Sequence, residues 1–271
     1  MTTAVLNRTR TNPAIAYERK GAGDLVLFVH GLGADRRAWR AQLDGLSHAY
    51  HACAIDLRGY HDSGDPAEPV SMDDFVADVL AVLDDLGVAR AHLVGQSMGG
   101  LVLQHLHMRA PDRIRSLTLA NTTRSLRASM TDDQLEEFMR NRRDLIATGI
   151  SMTELARTMA GAVVAPQADD AVFEAVREGF AALRPGYYLA AMEMVVRYCP
   201  VADLTSIAVP VLVVSGRYDR LTPPAAGREL AAAIPGARYV EIEDAGHMSN
   251  MERPDRFNTA LLDFLAATEG R

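Results

Sequence analysis

Cysteine is scarce in this chain. Among 271 residues only Cys53 and Cys199 occur, far apart and outside any Cys-x-x-Cys spacing, so neither a disulfide framework nor a zinc ribbon can be built. A reducing, cytoplasmic setting is the expectation. Positive charge is also short: 28 Lys plus Arg stand against 35 Asp plus Glu, a formal net charge of -7, which argues against a nucleic-acid partner because phosphates demand a basic face. No window approaches the ~20 apolar residues of a membrane span. The opening stretch Met1 to Asn12 is polar, with Arg8 and Arg10, and lacks the apolar centre of a signal peptide, so neither insertion nor export is expected.

What is present is an ordinary globular composition, 48% apolar and 23% charged. A chain of this size buries about three quarters of its unfolded surface. Length allows one domain or two, and the order of the patterns decides between them. Leu25 to Val29 is a short β-branched apolar run followed at once by Gly31 and Gly33, which reads as a fully buried strand entering a turn. Similar runs precede Asp56, cover Ala91 to Val94, and recur at Ile114 to Ala120, Val209 to Val214 and Arg238 to Ile242. Helix-period segments alternate with them: Asp35–Leu46, Met72–Leu86, Met98–Arg109, Pro223–Ile234 and Arg253–Ala267. Strands apolar on both faces, alternating with helices, predict an α/β fold with a mostly parallel sheet covered on both sides.

Between Arg124 and Cys199 the alternation stops. Thr131–Ile146, Met152–Ala160, Asp170–Leu183 and Tyr187–Tyr198 are helical in spacing and no strand run intervenes. Residues 1–123 and 200–271 are therefore expected to form the core, and residues 124–199 a helical lid above the carboxyl edge of the sheet, where open α/β proteins bind ligands.

Gly95-Gln96-Ser97-Met98-Gly99 follows one predicted strand and opens one predicted helix. A reversal this sharp holds the serine in strained backbone angles, leaves no room for side chains at Gly95 and Gly99, and lifts the hydroxyl above the sheet edge. A serine needs a base, and Gly246-His247 follows the last strand run; the base needs an orienting carboxylate, and Asp219 follows the strand ending at Val214. The chain order Ser97, Asp219, His247 fits a nucleophile, acid and base. Asp244 competes for the acid's place, although three residues from His247 it suits loop shaping better. A further acid position, after Ala120, is filled by Asn121, which holds no charge. Oxyanion donors are expected from the backbone amides of Met98, at a helix start, and Leu32, between Gly31 and Gly33.

These motifs resemble the α/β-hydrolase superfamily over nearly the whole chain: His30-Gly31, Asp56-Leu57-Arg58-Gly59-Tyr60-His61-Asp62-Ser63-Gly64, the serine turn, Gly216-Arg217-Tyr218-Asp219 and Gly246-His247. Within it, Gln96-Ser97-Met98-Gly99-Gly100, Leu119-Ala120-Asn121-Thr122, Thr222-Pro223-Pro224 and Ala245-Gly246-His247-Met248-Ser249-Asn250 are similar to 3-oxoadipate enol-lactonases and related carboxylesterases. The resemblance implies a serine hydrolase of a small-molecule ester or lactone that uses no cofactor. Ser97 departs from the aspartate nucleophile of dehalogenases and epoxide hydrolases. Gln96 and Met248 depart from the Asn and Trp typical of carbon–carbon hydrolases, and Met98 from the aromatic residue frequent in cofactor-free perhydrolases and haloperoxidases. The aspartate-dependent activities are excluded by Ser97; a carbon–carbon bond hydrolase, a cofactor-free perhydrolase or haloperoxidase, and a non-turnover receptor are the alternatives.

Residues 124–199 carry nine Arg and eleven Asp plus Glu, so no anion-capturing lid is indicated. Methionine is more suggestive. Met130, Met192 and Met248, with Gly31, are the expected substrate contacts, since methionine suits an adaptable apolar pocket. His105 and His107 point to different helix faces, and His48, His51, His61 and His92 show no ligand spacing, so no metal site is expected.

Overall fold

A computed structural model describes residues 4–65, 70–125, 131–197 and 203–268. Eight strands form one sheet: β1 Val5–Arg8, β2 Ala16–Lys20, β3 Leu25–Val29, β4 His51–Ile55, β5 Ala91–Gln96, β6 Ile114–Ala120, β7 Val211–Gly216 and β8 Arg238–Ile242. Their spatial order is β1-β2-β4-β3-β5-β6-β7-β8. From β4 across to β8 every pairing is parallel, while β1 and β2 pair antiparallel at one edge.

The parallel strands alternate between two cores. Leu25, Leu27 and Val29 of β3, Cys53 and Ile55 of β4, and Val211 and Val213 of β7 face one; Val26, Phe28, Ala52, Ala54, Leu212 and Val214 face the other. The first is covered by α2 (Met72–Asp85) and α3 (Met98–Arg109). The second is covered by α1 (Arg40–Leu46) and α10 (Pro254–Ala266), with Trp39 packed at a tilt between Phe28 and Phe257. The helical segment expected from Asp35 begins instead as a 3-10 turn over Arg36–Trp39, capped by the Asp35 side chain.

The helices start where local chemistry places them. Ser71 with Asp74, Thr131 with Gln134, and Ser151 with Glu154 each close a capping box, satisfying donors that a helix start leaves open. Between β6 and β7 lie α4 (Asp132–Ala147), α5 (Met152–Val163), α6 (Asp170–Ala181) and α7 (Pro185–Arg197). They rest on loops at the carboxyl ends of the strands. Gly179 of α6 meets the Gly33 carbonyl, Tyr187 of α7 packs on Gly59 after β4, and the end of α5 abuts Gly246 after β8. Tyr187 also donates to the Arg58 carbonyl, and Arg184 to that of Gly59. Beyond β7 come α8 (Pro224–Ala233) and the single turn α9 (Ser249–Glu252).

Gly179 gives a clean test of this docking. Glycine inside a helix costs roughly 1 kcal/mol relative to alanine, yet a Cβ at Gly179 would lie 2.7 Å from the Gly33 oxygen, while at Gly161 of α5 the nearest atom is 4.0 Å away. In urea denaturation Gly161→Ala is expected to raise the midpoint and Gly179→Ala to lower it. A rise in both would mean that α6 does not press on the Gly33 loop.

Candidate active site

Ser97 stands between β5 and α3 with φ 54 and ψ -117, an angle pair that non-glycine residues avoid unless the surroundings over-determine it. The surroundings do so by backbone approach. A Cβ at Gly95 would lie 2.5 Å from the Gly99 oxygen, and one at Gly99 2.3 Å from the Val29 oxygen. The Ser97 N–H donates to the Ala120 carbonyl (2.9 Å), and its own carbonyl accepts from the Thr122 hydroxyl at 2.8 Å. Met98 is the first residue of α3, where helix N–H groups have no intrahelical acceptor.

The loop after β3 runs beside the serine. A Cβ at Gly31 would lie 3.0 Å from Ser97 Cβ and 2.3 Å from Gln96 Oε1, which brings Leu32 next to the serine turn. His30 pins this loop: its Nδ1–H donates to the Gly31 carbonyl (2.8 Å), its Nε2 accepts from the Leu57 N–H (3.1 Å), and its ring packs edge-on against Tyr60. Complete burial pushes the His30 pKa down, consistent with a neutral ring whose two nitrogens are both committed.

Asp219 follows β7 and is buried. Its Oδ1 accepts from the N–H groups of Leu221 and Thr222, both at 2.9 Å. Its Oδ2 accepts from Asn121 Nδ2 at 3.0 Å, the Thr222 hydroxyl at 2.7 Å and His247 Nδ1 at 2.8 Å. Burial alone would raise this carboxyl, but His247 and the surrounding donors hold it below the usual carboxylate range. A carboxylate only accepts, so the His247 proton sits on Nδ1 and Nε2 is left as the basic nitrogen. Asp244 lies elsewhere, half exposed and facing Arg256 at 3.8 Å.

Gln96 ties the serine turn to the histidine loop, donating from Nε2 to the His247 carbonyl at 2.9 Å. Asn121, with φ 47, donates additionally to the Gly246 carbonyl at 3.1 Å and accepts from the Ser249 hydroxyl at 2.5 Å. Gly216 and Gly246 let the acid and histidine loops touch, since a Cβ on Gly216 would be 2.0 Å from the Gly246 oxygen. Sequence reasoning gave Gln96, Asn121 and Thr222 no part in this network. The one available signal was an asparagine at a strand end, a residue that tolerates positive φ.

The two methionines that flank Ser97 and His247 are buried. Met98 is 1% exposed, beneath Tyr60, and Met248 is 6% exposed, with its sulfur accepting from Gln96 Nε2 at 3.8 Å. Met192 on α7 packs half-buried between the main core and a small cluster of Leu135, Met139 and Val196. Met130 and Cys199 lie outside the described residues. Met248 also borders a surface cleft of about 90 Å³ together with Gly33 and Gly179.

His105 and His107 diverge, to Asp73 and Ser206 respectively. His61, expected to stand apart, instead converges with Asp56 and Asp62. The Arg36 guanidinium sits among them, bonded to Asp56, to Asp62 at 2.8 Å and to His61 at 3.0 Å. It takes the position a cation would need, which makes the cluster a structural knot below the loop after β4.

Residues 26–260 match the sequence profile of the Alpha/beta hydrolase family, and the chain belongs to that family. It is 32% identical over 267 residues to BpoC of Mycobacterium tuberculosis, provisionally named a non-heme bromoperoxidase, covering 94% of this chain and 98% of that one. Among solved structures it is similar to the enol-lactonase of Burkholderia xenovorans LB400 (31% identity, TM-score 0.84, covering 97% of this chain and 100% of that one). It is also similar to a thermophilic esterase of Thermogutta terrifontis (28% identity, TM-score 0.85, covering 98% and 99%). Among the described residues no helix is long and apolar enough to cross a membrane.

His30 carries a pH prediction. Its folded pKa is depressed, so below the ordinary histidine range the unfolded chain binds a proton that the fold refuses; stability falls as pH drops, by at most about 1.4 kcal/mol per pH unit for one such group. From about pH 7 to about pH 5 the urea midpoint of the wild type should fall more steeply than that of His30→Asn. Parallel profiles would show that His30 titrates freely.

Proposed function

We propose that the protein is a serine hydrolase that cleaves a small-molecule carboxylic ester or lactone in the cytoplasm through an acyl-enzyme on Ser97. The observation that carries this reading is the buried His247–Asp219 pair at 2.8 Å, tied through Gln96 to a strained serine turn. The enol-lactonase and esterase among the similar structures support it.

As the Ser97 oxygen attacks the substrate carbonyl, His247 Nε2 takes its proton and Asp219 stabilises the imidazolium that results. The carbonyl electrons move onto oxygen, where the N–H groups of Leu32 and Met98 hold the negative charge. Collapse of the tetrahedral species breaks the bond to the leaving oxygen, which collects the proton from His247. Water then attacks the acyl group and gives a proton to Nε2; the second collapse releases the acid and returns that proton to Ser97. The nucleophile, the base, its orienting acid and the oxyanion donors all belong to the protein and the second nucleophile is water, so this sequence of steps calls on no metal or organic cofactor. Helices α4–α7 act as a lid over the carboxyl edge, with Gly31, Met248 and Met192 bordering the bound acyl or lactone group.

Similarity to BpoC favours one second reading: hydrogen peroxide can replace water as acyl acceptor and yield a peracid from the same intermediate. Adding peroxide during ester turnover tests it, through peracid-dependent bromide oxidation.

Ser97→Ala is expected to reduce kcat by about 10⁴- to 10⁶-fold and Asp219→Asn by about 10⁴-fold on p-nitrophenyl esters or lactones, with folding unchanged by circular dichroism. Wild-type turnover in Ser97→Ala would end the proposal. Wild-type turnover in Asp219→Asn would transfer the acid's role elsewhere.

A further inference from the structure

Glu252 is a buried acid that the reaction above does not use. It ends α9 and is 3% exposed. Its Oε1 accepts from the N–H groups of Gly246 at 3.0 Å and Met248 at 3.1 Å, and its Oε2 from those of Gly246 at 3.1 Å and Ala165 at 2.8 Å. The residues on either side of His247 and the residue two past the end of α5 thus share one carboxylate. The N–H of His247 itself donates to the Val163 carbonyl, the last of α5, at 2.7 Å. With Gln96 on the His247 carbonyl, the main chain carrying the base is fixed at the N–H groups of 246, 247 and 248 and at the carbonyl of 247.

The donor set says why an acid stands there. Three main-chain N–H groups converge on the two oxygens, and only a carboxylate offers acceptors on both. A carboxamide of the same shape would turn an NH₂ group toward one side, either the histidine loop or the exit of α5, and leave a buried donor facing a donor.

We propose that Glu252 is a positioning residue: its carboxylate sets the height and direction of His247 above Ser97 and couples that loop to the α5 end of the four-helix segment. The proposal rests on the Ser97–His247–Asp219 reading. Its consequence is that α4–α7 form part of the frame of the base, so the Val163–Ala165 edge stays attached when the rest of the segment admits substrate. Misplacement of a reacting group by about 1 Å can cost 10²-fold in rate without weakening ground-state binding.

The test compares wild type, Ser97→Ala, Glu252→Gln and Glu252→Asp. The three chains that keep Ser97 are titrated with a fluorophosphonate probe that labels the reactive serine, and their kinetics on a p-nitrophenyl ester are expressed per labelled site; Ser97→Ala is expressed per mole of chain. Glu252→Gln is expected to lower kcat about 10- to 100-fold with KM changed less than about threefold. Glu252→Asp, which keeps the charge but withdraws it from one side, should fall between. If Glu252→Gln does not fold, the same kcat-against-KM split is read from Glu252→Asp. A variant that melts earlier yet turns over at the wild-type rate per labelled site overturns the proposal, because Glu252 would then only hold the fold together. Turnover surviving in Ser97→Ala overturns the underlying reading, and this proposal with it.

Discussion

The contact on which the rest of the molecule depends is the close approach of three backbone segments around Ser97, which glycine alone permits. The end of β3, the end of β5 and the start of α3 come within touching distance through Gly31, Gly95 and Gly99. Parallel register carries that level outward: Val29 pairs with Gly95, Gly95 with Leu119, Ala120 with Val214, and Val214 with Val240. The loops that follow therefore leave the sheet along one edge, bringing residues near 31, 97, 121, 219 and 247 together. The strain at Ser97 is sustained because Ala120, Thr122 and the glycine contacts leave its backbone no relaxed alternative. A packed scaffold of this kind can hold about 1–3 kcal/mol of local strain at a functional residue.

Around that contact the polar groups form a closed account. An ionised carboxylate buried without partners is very costly, yet Asp219 receives five hydrogen bonds from four residues. Asn121 serves several of these needs at once, donating to Asp219 and to the Gly246 carbonyl while accepting from Ser249. His30 performs the equivalent task on the other side, joining the Gly31 loop to Leu57 as a neutral ring. The result is a histidine whose tautomer and loop are both fixed by the fold, an arrangement that needs little reorganisation when charge develops on the ring.

Much of this was legible in the sequence, for a physical reason. Strands buried on both faces leave apolar runs, and chemistry at the carboxyl edge requires certain residue types after them; Ser97 and Asp219 follow the fully buried β5 and β7, while His247 follows the half-buried edge strand β8, Arg-Tyr-Val-Glu-Ile. The antiparallel edge was not legible. β1 is exposed, with Val5 and Leu6 at 53% and 44% accessibility, and β2 reads Ala-Tyr-Glu-Arg-Lys, so neither shows an apolar run. Nor was the supporting network, because its partners are distant in the chain: Asn121 meets Asp219 across 98 positions, Glu252 meets Ala165 across 87, and Gln96 meets His247 across 151. The methionines divide: Met98 and Met139 are packed inside, where a flexible apolar side chain is useful, while Met248, though buried, borders the cleft beside Gly33.

If the protein works as proposed, the carbonyl carbon of the substrate becomes covalently attached to Ser97 during each turnover. The most direct measurement is rapid acid quench of the wild-type protein with a slowly deacylating p-nitrophenyl ester, followed by digestion and mass spectrometry. The mass of the acyl group is expected on the peptide containing Ser97, formed in step with a burst of nitrophenol and decaying as acid is released. A nitrophenol burst with no adduct on that peptide, or with the acyl group on another residue, would contradict the proposal.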